Sequence, residues 1–257
     1  MQKFFNVYHN LGYWFALLVV LIVPAFYSTY FNTLFAGHLP IIHIHFVLMT
    51  LWIAMLIAQP FLVKFKKVSV HRMLGKISYV LVPLVLISGF LMIRMSYYRY
   101  LQIEYSKAAE GLTQVSNAEL LQNAADFQAI AVFYLVWFAL FYSLAIINRR
   151  RSAVHARYML AAALTLLGPI VDRIMLIPLG LESLPGGLSP MWVSFILIDL
   201  ILLVLLYKDY QYKRPLKTLL VCLLVYIPAQ FVHFAILGNG WWKDFMIFVM
   251  LPKPGGQ

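Results

Sequence analysis

The sequence predicts an all-α polytopic membrane protein of about seven transmembrane helices, and three observations carry that prediction. The 257-residue chain is 63% hydrophobic and only 11% charged, whereas soluble domains run roughly half apolar and a quarter charged. Its apolar residues gather into long runs. Its basic residues gather in every second connection between those runs.

Composition comes first. A water-soluble fold cannot hide this much apolar surface, because surface area shrinks too slowly relative to volume. At roughly 20 apolar residues per helical span, the length accommodates about seven spans. The net charge of +11 would suggest a nucleic-acid partner in a soluble chain. Here no phosphate-cradling glycine loop and no nucleic-acid module accompanies it. The lipid bilayer is the expected partner, with a membrane-protein partner or a second copy of the chain beside it. The lone Cys222 excludes an intrachain disulfide and a cysteine-ligated cluster.

The apolar runs fall near 12–31, 40–63, 73–95, 127–147, 158–178, 191–207 and 217–237. They are long and lack period-2 alternation. Lipid cannot satisfy an open backbone, so they read as helices. The first run is too long for a signal-peptide core and precedes no small-residue cleavage site, so it reads as a retained span. Lys64, Lys66, Lys67 and Arg72 fill the 2–3 connection; Arg149, Arg150, Arg151 and Arg157 the 4–5 connection; Lys208, Lys213, Arg214 and Lys217 the 6–7 connection. The 1–2 and 5–6 connections have no Lys or Arg. That alternation predicts a cytoplasmic N-terminus and an external C-terminus. Residues 97–126 form an external polar segment, expected as a cap or interfacial helix. Trp241 and Trp242 are interface anchors, and Phe245 to Leu251 is too short to span.

The chain reads as one membrane domain, 1–257, with an internal echo. Val68-Ser69-Val70-His71-Arg72-Met73-Leu74-Gly75 resembles Ser152-Ala153-Val154-His155-Ala156-Arg157-Tyr158-Met159-Leu160. Each stretch follows a basic connection and opens a span, with Pro83 or Gly168-Pro169 further along. Residues at about 40–95 and 127–178 are therefore expected to be parallel copies of one helical hairpin, an arrangement that places binding sites between copies.

Ionisable residues within spans cost several kcal/mol unless paired, so each is a candidate. At the basic level stand His71 and His155, with Gln59 nearby. Two imidazoles at matched depth are fitted to ligate a haem b from both sides or to share a transition-metal ion. Arg72, Lys76 and Arg157 are suited to neutralise haem carboxylates. The plainer alternative is that each histidine hydrogen-bonds a loop carbonyl at the interface. At the opposite level stand His38, His43, His45, Arg94, Asp126, Gln128, Asp172, Arg173 and His233. His43 and His45 are two apart and point to roughly opposite helix faces, so one of them faces the bundle. A set such as His45, Asp172 and His233 would suit a divalent metal, against the alternative of a packing network. Adjacent Asp172 and Arg173 take different partners. Asp199 stands alone in the sixth span. Asp126, Asp172, Arg173 and Asp199 together form the charged pathway of a second expectation, a proton-coupled small-molecule transporter. A third is an accessory subunit that assembles with a membrane complex. No nucleophile elbow, zinc-protease helix or triad is present.

The stretch from His43 through the basic connection to His71-Arg72-x-x-Gly75, with its second half from Asn148-Arg149-Arg150-Arg151 through His155-x-Arg157 to Asp172-Arg173, resembles a family of bacterial predicted membrane proteins classed as a domain of unknown function. The resemblance covers roughly residues 40–178 and implies a multi-pass protein of the bacterial cytoplasmic membrane. In arrangement the chain is also similar to cytochrome b561-type haem bundles, which implies electron transfer. It departs from them in the fourth span, which has no histidine, so the inner pair His71 and His155 carries that likeness.

Overall fold

The computed structural model describes residues 10–250. Among them, seven helical segments are long and apolar enough to cross a membrane. The first joins α1 (Leu11–Phe26) to a π-helical turn, Tyr27–Phe31. α2 is Pro40–Lys64, α3 Val68–Ala109 and α4 Asn117–Ile147. The fifth span is broken into α5 (Ser152–Leu164) and α6 (Leu167–Leu176). α7 (Met191–Gln211) and α8 (Lys217–Ile236) complete the bundle, and α9 (Gly240–Met250) follows. No β-strand is formed among the described residues.

Local chemistry sets several boundaries. Pro40 opens α2 at a first-turn position, where its missing N–H costs nothing. Ser116 caps α4 by accepting the Glu119 backbone N–H at 3.3 Å, the spacing of a capping box. The fifth span breaks at Thr165-Leu166, four residues ahead of Pro169, whose ring can neither donate to nor pass the preceding turn. By contrast α3 runs unbroken through Pro83.

One expectation needs correction. Residues 97–126 are not a separate cap or surface helix. α3 has 42 residues, and α4 has 31. At 1.5 Å per residue α3 is about 63 Å long, far longer than the roughly 30 Å hydrocarbon layer. The two helices continue past the apolar runs as one hairpin. Its polar composition suggests a piece apart from the spans, but its buried face continues theirs at helical spacing: Tyr97 and Leu101 on α3, Leu120 and Ala124 on α4. Tyr105 ties the arms by donating to Asn117 Oδ1.

α9 packs on this hairpin. Trp242, Met246 and Met250, spaced four apart, turn inward, and Trp242 Nε1 donates to the Ala125 carbonyl at 3.1 Å. Asp126 accepts the Gly238 N–H at 2.9 Å, and Arg94 Nε donates to the Met250 carbonyl at 2.8 Å. A second, larger core joins α1–α8 around Trp52, Trp137, Phe141, Phe195 and Tyr226. Replacing Trp242 with Ala removes the largest anchor of α9 and costs about 3–5 kcal/mol of its docking. Trypsin cleavage after Lys243 should then accelerate by about a hundredfold or more; an unchanged cleavage rate would show that α9 is held by other contacts.

Candidate functional site

The basic ends of α1–α5 enclose a cavity of about 820 Å³. α2 contributes Trp52, Leu56 and Gln59 to its wall, α3 contributes His71 and Ser78, and α5 contributes His155. His71 is the fourth residue of α3 and His155 the fourth of α5. The two rings thus enter the cavity from the same position on two helices. Their centroids lie 6.5 Å apart, with planes at 85°.

Each histidine is held differently. His155 Nδ1 lies 2.9 Å from the Ala145 carbonyl. A carbonyl only accepts, so Nδ1 carries the proton there and Nε2 of a neutral ring keeps its lone pair. A backbone carbonyl on the far ring nitrogen is the usual way to orient a metal-ligating imidazole. The His71 carbonyl accepts from Gln59 Nε2 at 3.3 Å. Among the described residues, His71 Nδ1, Gln59 Oε1 and Trp52 Nε1 are buried without a hydrogen-bond partner, and all three belong to residues lining this cavity. Unmade bonds of buried groups cost about 1–3 kcal/mol each, and Tyr97, Asp172 and His233 carry further such atoms away from this cavity.

Lys64, Arg72, Lys76, Arg149 and Arg150 also line it, giving a mostly apolar chamber a cationic wall. Arg157 has another task. It stands two residues beyond His155 and points to the opposite side of α5. There its Nε and Nη2 reach Asp209 Oδ2 at 2.8 and 2.6 Å, and Arg214 Nη1 reaches Oδ1 at 3.3 Å. Arg157 and Asp209 are each 1% exposed. This cluster joins α5 to the end of α7. Asp209 escaped the sequence reading although a signal existed: it is the single acidic residue in the three basic connections.

The opposite level is divided among several contacts. His43 Nδ1 meets the Tyr30 hydroxyl at 3.0 Å on the π-helical turn, and His38 Nε2 meets Thr33 Oγ1 at 2.9 Å. His45 turns to the other face and meets Ser88 Oγ at 2.9 Å. Because Ser88 donates to the Val85 carbonyl, the His45 Nδ1–H is the donor. Asp172 Oδ2 accepts from the Tyr134 hydroxyl at 2.9 Å, with Ser194 Oγ 3.2 Å from the same hydroxyl. Arg173 lies over the Phe26 ring at 4.7 Å and reaches Thr29 at 3.5 Å, so the neighbours do take different partners. His233 is packed among Phe133, Phe195 and Phe234, and neither ring nitrogen has a hydrogen-bond partner among the described residues. No group of three His, Cys, Asp or Glu side chains able to hold a metal ion forms among the described residues; His45, Asp172 and His233 are taken up by separate surroundings. Asp199 accepts from Gln230 Nε2 at 3.1 Å, and Asp126 is engaged with Gln122 and Gly238. The four charged residues of the expected pathway thus have four distinct sets of partners.

Gly168 makes the Tyr134–Asp172 contact possible. A Cβ at this position would lie 1.9 Å from Tyr134 Cζ. Gly168→Ala should push Tyr134 off Asp172, leave a buried carboxyl without its donor and lower stability by about 1–3 kcal/mol. Thermal unfolding of the detergent-purified protein reads this directly, and an unshifted midpoint would mean that the ring has room to move. Asp209→Asn should do more, about 3–5 kcal/mol, since two buried guanidinium groups lose their counter-charge; the same melt compared with Asp244→Asn, an exposed control, isolates the effect.

The sequence matches no family model, no curated protein and no solved structure.

Proposed function

We propose that this integral membrane protein binds a haem b at the basic end of its bundle, where His71 and His155 would hold its iron, and takes part in electron transfer. The observation that carries the reading is the approach of the two rings to 6.5 Å across a cavity of about 820 Å³. Two metal–imidazole bonds of about 2.0 Å each put opposed ligating nitrogens about 4 Å apart. Adding the two ring radii gives a span close to the one observed.

The ligand count favours a haem over a bare ion. A structural zinc ion asks for four protein ligands, and this wall offers two imidazoles. A haem brings most of its iron's ligands with it, so two histidines would suffice to hold it. His155 is oriented by the Ala145 carbonyl. Arg72, Lys76, Arg149 and Arg150 are on the wall to pair with carboxylates. When bound, a haem with two imidazole ligands supplies one-electron redox chemistry. The chain's own part is to hold the rings, neutralise the carboxylates and exclude water with Phe15, Leu56 and Leu160.

The basic connections support an orientation with this end of the bundle at the cytoplasmic face, N-terminus in and C-terminus out, and the resemblance over residues 40–178 supports a bacterial cytoplasmic membrane. The shared register of His71 and His155 supports a parallel repeat of α2–α3 and α4–α6. A second reading rests on Met55 and Met159, which line the same cavity: soft sulfur beside imidazole suits a copper(I) ion.

The test is a visible spectrum of the purified protein, expressed with ample haem, air-oxidised and then reduced with dithionite, beside elemental analysis. A Soret band that shifts on reduction and disappears in His71→Ala and in His155→Ala is the expected result. Stoichiometric copper without a Soret band would replace haem by copper. A featureless spectrum with no metal would remove both readings.

A further inference from the structure

A second cavity, of about 690 Å³, lies at the other end of the molecule, between the start of α2 and residues 91–102 of α3. Its wall changes character along α3. Leu91 and Met95 stand on the stretch nearer the middle of the molecule, with Ile41 and Ile42 of α2 on the same wall; Arg94 lies between Leu91 and Met95 in the chain, at the junction, and Arg99 and Gln102 extend toward the hairpin tip. From Leu91 to Gln102 the helix rises about 16 Å. An apolar trough therefore continues into a basic, hydrogen-bonding upper wall, and no carboxylate lines either part.

We propose that this groove binds one anionic phospholipid of the leaflet at the His38 end of the bundle, acyl chain in the trough and phosphate between Arg94 and Arg99. The gradient has the polarity of a lipid standing in that leaflet. Leu91 is 37% exposed, so the trough opens sideways, the direction from which a lipid arrives. Arg94 is set in place beforehand. Its Nε donates to the Met250 carbonyl at 2.8 Å, and its guanidinium lies 5.5 Å from the Tyr98 ring centre. A cation fixed before the ligand arrives loses less side-chain freedom on binding. Arg99, by contrast, is exposed and gives the site its second charge. The site is independent of the histidine cavity and stands whether or not a haem is bound.

Native mass spectrometry on protein released from nanodiscs of equal phosphatidylglycerol and phosphatidylcholine tests this. The wild-type chain should retain one phosphatidylglycerol in preference to phosphatidylcholine. Arg99→Gln, at an exposed position on which the fold does not depend, should lower that retention about fivefold, the size of one charge-assisted contact. Leu91→Trp, which fills the trough and keeps both arginines, should lower it as well. Equal retention of the two lipids by the wild type, or unchanged retention in both variants, overturns the proposal. Loss in Arg99→Gln alone, with competition by millimolar inorganic phosphate, would also overturn it by making this a simple anion site.

Discussion

Lipid offers no hydrogen bonds, so every polar atom on these helices has to find its partner within the protein. That single constraint explains the pattern of cross-links. Ser78 meets Tyr142, His45 meets Ser88, Tyr134 meets Asp172, Arg157 meets Asp209, and Gln230 meets Asp199. Each contact joins two different helices. Between them the apolar side chains have only to fill space, because neighbouring helices and lipid tails are equally oily. Polar contacts therefore set which helix lies beside which, and large aromatic residues such as Trp137 and Tyr226 occupy what remains.

Against this economy, the exceptions are informative. Of the buried polar atoms without partners among the described residues, three lie on the wall of the basic-end cavity, on Trp52, Gln59 and His71, and others on Tyr97, Asp172 and His233. Three such atoms thus share one cavity, whereas the others stand one residue at a time elsewhere. The volume and the unsatisfied groups are two views of one feature, and the cationic wall adds its polarity.

The spans were legible in the sequence because the length of an apolar run is a local property. The reach of α3 to Ala109 was not, since the face it buries there is covered by α4 and α9, which local composition does not announce. The histidine pair was legible because the chain repeats its surroundings twice, at matched distance from a basic connection. Arg157 was read with that pair, yet its partner Asp209 lies 52 residues away, beyond any spacing rule. The proposed grouping of His45, Asp172 and His233 relied on equal depth. Depth does not fix the direction in which a side chain leaves its helix, and Ser88, Tyr134 and three phenylalanines claim these residues one by one.

The continuity of α3 has a mechanical consequence. One unbroken helix carries His71 near one end and the hairpin tip at the other, so the two surfaces of the membrane are joined by a single stiff strut. Pro83 removes one backbone hydrogen bond from that strut along its length. Bending is therefore cheapest at that point, between Ser78, which is tied to Tyr142 of α4, and Ser88, which is tied to His45 of α2, while the strut itself stays whole.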